Sequence, residues 1–360
     1  MRPAQLSAPE AALAPPRAYG APPARGVLRA EPEDFVVEEE LGFAPAGSGA
    51  HLLLKVRKRN ANTQWVAREL TRLAGCRPAD AGYAGLKDRH AIAVQWFSVP
   101  RPRAAVDWRQ RRGGEFEVLE VHEHTRKLPR GALAGNRFAV RIRAAGGDGA
   151  ELGERLAPRL EAIAQRGVPN YFGAQRFGRD AGNLRRLDAP LHRLPPHERG
   201  FVLSAARSVI FNAVLAARVS EGSWERLRAG DLANLDGRGS IFRVEVLDAE
   251  LLERCRRLEI HPSGPLWGEG DPVSGGEVLE LERTVAARYP DAAAACAAAG
   301  MAQERRSLRI AVHELRCEVE AQAVRLHFRL ARGCFATAVL AELIESVSEP
   351  AAVQPVERST

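Results

Sequence analysis

Strand patterns occupy both ends of this 360-residue chain and helical patterns its middle, an order that restricts the architecture more than composition does. Val27 to Ala30, Phe35 to Glu40, His51 to Lys58, Ala91 to Pro100, Phe116 to Val121 and Asn136 to Ile142 read as strands, bounded by Gly, Pro and Asp turns. Asn62-Thr63 opens a helix through Ala74 with Trp65, Val66, Leu70 and Leu73 as its apolar stripe, and Leu152 to Arg166 is an amphipathic helix. Beyond Gly167 the segments Arg185 to Ala217, Val219 to Arg228 and Glu280 to Met301 are helix-rich, with a Gly/Pro-rich loop from His261 to Glu277. Strands return at Arg309 to Leu315, Cys317 to Glu320 and Val324 to Leu330, before a last helix from Ala336 to Val347. A sheet closed by C-terminal strands accounts for that return. The expected fold is α+β: a mainly antiparallel sheet with flanking helices over 26–166 and 309–347, interrupted by a mainly helical α+β insertion over 167–308. An Ala/Pro-rich disordered tail is expected over 1–25 and a C-terminal tail over 348–360.

Charge narrows the class of partner. Lys and Arg number 52 against 45 acidic residues, a formal charge of +7. Most of the cations are Arg, whose planar fork suits phosphate and base edges. The same Arg bias, beside abundant Ala, Gly and Pro, is also what a skewed genome composition produces. Five scattered cysteines form no Cys-x-x-Cys pair, so neither a disulfide framework nor a zinc site is indicated, and a reducing, cytoplasmic compartment is expected. The nine histidines make no His-x-x-x-His arrangement, so no metal is expected. No apolar run reaches the roughly 18 residues of a membrane span. Neither a Gly-x-x-x-x-Gly-Lys-Ser/Thr loop nor a strand-linked Gly-x-Gly-x-x-Gly is present, which argues against a nucleotide cofactor.

The chemistry concentrates in Gly82-Tyr83-Ala84-Gly85-Leu86-Lys87-Asp88-Arg89-His90-Ala91, where one carboxylate lies between two cations in a segment opened by two glycines. Gly82 and Gly85 allow backbone that a side chain would forbid, and such turns hold functional groups at the rim of a scaffold. Lys87 and Arg89 are expected to keep Asp88 ionised. Taken alone, the segment also fits a turn whose Asp caps the next element.

With three further segments the motif resembles the TruD family of pseudouridine synthases. Val27 to Glu38 is similar to that family's N-terminal signature, Gly131 to Phe138 to its second active-site motif, and Gly167 to Gly178 to the opening of its insertion domain. With Gly333 to Thr337, the resemblance spans about residues 26–345. It implies a pseudouridine-synthase-type catalytic domain and isomerisation of a tRNA uridine near the D-arm, of the position-13 type, with no cofactor and a monomeric protein. It makes Asp88 the catalytic aspartate, as nucleophile or as base on the sugar.

Matching positions supply the remaining site. Phe138 is the stacking candidate for a flipped base, and Asn136, on the same strand face, would orient Asp88 or read the uracil edge. Phe35 is a pocket wall or core. Arg29 stands where the family often carries Lys, and it keeps the positive charge that could hold Asp88 or a phosphate but not a proton that can be given up at neutral pH. Ala341 stands where an Arg is common. Lys87, Arg89 and His90 would meet phosphate or ribose. Tyr171, Phe172, Gln175 and Arg176, with Phe177, mix aromatics, an amide and a cation as RNA-gripping segments do, or else form packing between domains. Arg109 to Arg112 and Arg185-Arg186 are generic polyanion surface. A non-catalytic RNA binder is the alternative, although such a protein has no use for a carboxylate among phosphate-binding cations. A glycoside hydrolase would need a second carboxylate, and the spacing ties neither Glu38 nor Glu39 to Asp88.

Overall fold

The computed structural model describes residues 14–108, 114–188 and 190–347. The basic stretch Arg109 to Arg112 and the expected tail at 348–360 lie outside the described residues. In chain order the elements are β1 (Ala24–Leu28), β2 (Phe35–Leu41), β3 (His51–Arg59), α1 (Thr63–Ala74), β4 (Gly82–Tyr83), β5 (Ile92–Pro100), β6 (Phe116–His124), β7 (Leu133–Ala144) and α2 (Gly149–Arg166). Then come β8 (Val168–Pro169), α3 (Gly182–Arg185), α4 (Pro196–Ser220), β9 (Leu232–Leu235), β10 (Ile241–Arg243), α5 (Ala249–Arg256), β11 (Ile260–Leu266), α6 (Gly276–Ala286), α7 (Pro290–Ala298), β12 (Glu304–Ser307) and β13 (Arg309–Ile310). The chain ends with β14 (His313–Glu320), β15 (Ala323–Ala331), α8 (Ala336–Leu343) and β16 (Ile344–Ser346).

Two compact units result. A sheet unit holds residues 23–160, 313–333 and 343–347, and a helix-rich unit holds 14–22, 161–312 and 334–342. Helix α8 thus belongs with the helix-rich unit, and so do residues 14–22, which the sequence assigns to a disordered tail. The tail expectation fails there because Tyr19 is a large amphipathic side chain with partners. Its hydroxyl donates to Gly167 O at 2.6 Å, and its ring meets Trp224 edge-on at 6.2 Å.

The sheet unit is built on ten strands in the order β14-β15-β7-β2-β5-β3-β6, with β1 beside β7 and β16, and β4 beside β5. Pairing is antiparallel except for β2 with β5 and β1 with β16. The alternation read from sequence becomes two faces. Val66 and Leu70 of α1 pack on Leu54, Val56 and Phe97, each fully buried and contributing about 1.5–3 kcal/mol by leaving water. The C-terminal strand β15 pairs with β7 from Ala323↔Arg143 to Ala331↔Gly135, so strands far apart in sequence close one sheet.

The helix-rich unit centres on α4, whose Val209, Ile210, Phe211 and Leu215 pack with Phe177, Trp224 and Cys296. Among the described residues α4 alone has the length and apolarity of a membrane span, and 56% of that stretch is buried in the protein. Several features depart from the sequence expectations, among them Val219 to Arg228, which is helical only to Ser220. Ile260–Leu266 is a strand rather than part of a Gly/Pro-rich loop, in a four-stranded sheet ordered β10-β9-β11-β12. Its prolines are tolerated because Ile260–Pro262 pairs with β9 and Ser263–Leu266 with β12, so that each half has a strand partner on one side, joined at Pro262 by Leu308 N donating to its carbonyl at 2.8 Å. Pro290 also divides the helix expected from Glu280 to Met301, ending the first part and starting α7 at its first position. Similarly, the helix expected to reach Val347 stops at Leu343, where β16 takes up its pairing with β1.

Candidate active site

The motif segment is tied to its scaffold by the turn that joins β3 to α1. Thr63 Oγ1 accepts from Lys87 N at 3.1 Å and donates to Gln95 Oε1 at 3.0 Å, while Gln95 Nε2 donates to Gly85 O at 2.6 Å. Thr63 and Gln95 are 2% and 0% exposed, so this relay is fixed by packing. Gly131 N donates to Ala84 O at 2.8 Å, joining the second motif to the first. The two motif glycines differ. A Cβ on Gly82 would sit 2.5 Å from both Leu128 O and Ser98 Oγ, which excludes any side chain, whereas Gly85 faces open space without a positive φ. Nothing in the structure explains the glycine at 85.

Asp88 is displayed at the end of this segment with its side chain 55% exposed. Its carboxylate partner is Arg29, whose Nη2 donates to Oδ2 at 2.9 Å. The neighbouring cations, expected from the sequence to act on Asp88, are engaged elsewhere. Lys87 Nζ is 2.7 Å from Glu39 Oε1, and Arg89 Nε donates to Asn60 O at 3.3 Å. Arg29 holds a left-handed φ of 58°, a strained backbone for a non-glycine residue. Its guanidinium also lies over the Phe35 ring at 4.1 Å.

From Phe35 an aromatic series runs across three strands. Phe35 meets Phe138 edge-on at 6.0 Å, and Phe138 stacks on Phe328 at 5.2 Å and 22°. Register explains the series: Phe138 is opposite both Val37 of β2 and Phe328 of β15. Two residues earlier on the same face, Asn136 is opposite Glu39, and its Oδ1 is buried with no hydrogen bond within the chain. Glu39 in turn receives Trp96 N at 2.9 Å and the Lys87 ammonium. Burial pushes the Glu39 carboxyl up, with Lys87 as the chief opposing influence. Side-chain contacts join Asp88, Arg29, Phe35 and Phe138, strand register brings Asn136 opposite Glu39, and Glu39 binds Lys87, the neighbour of Asp88. The group combines a largely buried aromatic series, an exposed carboxylate and a buried amide oxygen without a hydrogen bond in the chain. A planar heterocycle with an N–H edge matches that chemistry.

Beneath the carboxylate is Lys58, fully buried, whose Nζ donates to Asp88 O at 2.9 Å and Ala61 O at 2.7 Å. Burial brings its pKa down to about 8, with Asp88 opposing the shift. Lys58 and Phe328 are absent from the sequence candidates, and Glu39 is there only as the second carboxylate of a glycoside hydrolase. Each carries a signal nonetheless, since Leu54-Val56-Lys58, Phe35-Val37-Glu39 and Leu326-Phe328-Leu330 share a face at period two.

His90 is exposed, and Ala341 is exposed on α8 beside buried Glu342, which accepts from Ala18 N at 3.1 Å. The remaining candidates lie in the helix-rich unit. Phe172 is 6% exposed, with Asn212 bonded to both its N and its O at 2.9 Å, and is a core residue of that unit. Tyr171 has a buried hydroxyl without a hydrogen bond, and burial drives its pKa far upward. Gln175 is exposed, and Arg176 lies 4.9 Å over the Phe172 ring while its Nη1 donates to Ser204 Oγ at 2.8 Å. With Phe201 and Phe335 these two line a pocket of about 240 Å³.

The sequence matches the family model described as tRNA pseudouridine synthase D (TruD) over residues 16–188 and 181–343. A tRNA pseudouridine synthase D of Methylococcus capsulatus is 46% identical over 336 residues, 92% of this chain and 94% of that protein. One of Pseudomonas aeruginosa is 45% identical over 341 residues, 92% of this chain and 94% of that protein. The crystal structure of a putative tRNA pseudouridine synthase D from Methanosarcina mazei superposes with a TM-score of 0.69 at 21% identity, covering 92% of this chain and 96% of that one, and so shares its fold. With the four motifs in order and matches running nearly end to end, the chain belongs to the tRNA pseudouridine synthase D (TruD) family.

Proposed function

We propose that this chain is a tRNA pseudouridine synthase that converts a uridine near the D-arm, of the position-13 type, to pseudouridine, with Asp88 as the catalytic carboxylate. The observation that carries the reading is the Asp88–Arg29 pair at 2.9 Å with Arg29 lying on the aromatic series that begins at Phe35. The reaction breaks the N1–C1′ bond, turns the uracil and forms C5–C1′, with the C5 proton lost and N1 protonated. No redox equivalent enters. A carboxylate paired with a guanidinium can attack C1′ or take a proton from the sugar, and either route uses an exposed carboxylate. Phe138 would stack on the extruded base, and base–aromatic stacking contributes roughly 1–3 kcal/mol while leaving rotation in the ring plane open. The unbonded Oδ1 of Asn136 suits the N3–H of uracil. Arg89 and His90, both exposed, would meet phosphate or ribose. In the helix-rich unit Gln175 and Arg176 are the RNA contacts of this reading, with Tyr171 and Phe172 shaping the wall behind them.

The test is an unmodified tRNA transcript incubated with wild type and with Asp88→Asn, pseudouridine being mapped by carbodiimide adduct and primer extension. The expected result is one stop near the D-arm with wild type only, turnover in Asp88→Asn falling at least about 10³-fold, and RNA affinity held within a few-fold. Loss of binding together with activity would make Asp88 structural. Binding to tRNA without any adduct in wild type would favour a non-catalytic RNA binder.

A further inference from the structure

The turn joining β3 to α1 holds the motif loop at four points. Lys87 N is bonded to Thr63 Oγ1, Arg89 Nε to Asn60 O, and Ala91 O to Asn60 N, at 3.1, 3.3 and 3.3 Å. The fourth point differs in kind, because the Lys58 ammonium spans the turn and the loop by donating to Ala61 O at 2.7 Å and to Asp88 O at 2.9 Å. A fully buried lysine is rare unless paired with a carboxylate, and here both bonded acceptors are neutral carbonyls. One of them belongs to the peptide of the proposed catalytic residue. We infer that Lys58 is a positioning residue for the reaction, its ammonium fixing the Asp88 peptide so that the carboxylate meets the substrate sugar, and that losing this charge slows turnover without weakening RNA binding. The inference rests on the assignment of catalysis to Asp88.

Charge-assisted bonds are about twice as strong as neutral ones, so a deprotonated amine would hold the two carbonyls less firmly. The charged groups facing Lys58 are Asp88 and Glu39, which favour the ammonium, and Lys87, which opposes it. Burial outweighs them and places the titration at about 8, against 10.5 for an ordinary lysine. Two trends of opposite sign follow. Between about pH 8 and 10.5 the unfolded chain binds the extra proton, so this group's contribution to stability improves as pH rises, while turnover falls over the lower part of the same range. A lysine with a merely structural role would not couple the two.

The experiment measures single-turnover rate and RNA affinity from pH 6.5 to 9.5 for wild type, Lys58→Arg and Lys58→Met, with thermal melts at each pH. Wild-type turnover at pH 7 comes first, because its absence would defeat the proposed function rather than this inference. Wild type should lose rate through an alkaline limb near pH 8. Lys58→Arg, charged throughout the range, should restore at least a tenth of the rate and lose the limb. Lys58→Met should run about 10- to 100-fold slower, without a limb and with RNA affinity within threefold. A flat wild-type profile to pH 9, a limb of unchanged midpoint in either variant, or full activity in Lys58→Met would overturn the inference. If both variants fail to fold, the wild-type profile decides it alone.

Discussion

The two units bury charge in opposite ways. In the helix-rich unit guanidinium groups are structural struts: Arg218 and Asp231 pair at 3.0 Å with side chains 1% and 0% exposed, and Arg305 and Glu282 pair at 2.8 Å at 3% and 1%. Arg309 is held there by His261 Nδ1 at 2.9 Å and by the carbonyls of Cys255 and Ile260. The sheet unit instead spreads ion pairs over the more exposed face of β2, β7 and β15, through Arg137–Glu40, Arg329–Glu40 and Arg141–Glu320. Its buried charges gather mainly around the motif loop. Lys58 supports the Asp88 peptide and Glu39 binds Lys87. The difference separates burial that welds elements together from burial placed under the carboxylate proposed to be catalytic.

The largest effect on stability should come from a strut. Arg218→Met leaves Asp231 buried without its partner and also strips the bonds to Ser223 O and Arg226 O. Breaking such a pair costs about 3–5 kcal/mol, readable as a shift in the urea midpoint at unchanged slope. Replacing both residues with Arg218→Met and Asp231→Leu should recover a good part of that loss, since apolar packing removes the stranded charge. A single-variant cost below about 1 kcal/mol would mean water reaches the pair, and the contrast between units would collapse.

An intermediate effect is expected where charge meets the site. Arg29→Ala removes one member of an ion pair whose side chains are 33% and 55% exposed, and such a pair contributes at most about 1 kcal/mol, so turnover should fall by up to roughly fivefold. RNA affinity should change little, because Arg29 is committed to Asp88. Arg29→Lys, the residue common in the family, sharpens the point: a rate close to wild type would assign Arg29 the single task of charge. A large loss would show that the guanidinium plane on Phe35 matters.

How much of this was legible follows from which signals are local. The strands flanking the motif, α1 and the returning C-terminal strands were readable because alternation and turn residues are local features, and β15 keeps its period of two even though its partner β7 lies about 190 residues earlier. Asp88, Phe138 and Asn136 stood out as candidates through their motifs. Lys58 was not, since Lys55-Val56-Arg57-Lys58 looks like a solvated basic edge, and only the face shared with Leu54 and Val56 places it inside. For the partner of Asp88 the sequence offered Arg29 beside the adjacent cations and gave no means of choosing. Adjacent side chains leave the backbone in different directions, so Lys87 reaches Glu39 while Arg29, nearly 60 residues away, reaches Asp88. In the helix-rich unit the prolines of β11 hid a strand, because the fact that each half pairs on one side is a tertiary property.

The smallest effect tests the opposite pole of the comparison. Arg329 donates to Glu40 Oε2 at 2.5 Å, and Glu40 also binds Arg137, so the short distance and shared carboxylate suggest a strong strut. Physical chemistry argues otherwise. The Arg329 and Glu40 side chains are 27% and 23% exposed, solvent screens the pair, and Arg137 remains to neutralise Glu40 when Arg329 is removed. Arg329→Gln, which keeps the apolar stem, should therefore lower stability by less than about 1 kcal/mol, and the difference from wild type should shrink at high salt. A loss as large as that of Arg218→Met, insensitive to salt, would show that the sheet face behaves as a buried network. The buried lysine under Asp88 would then no longer stand apart from the rest of its unit.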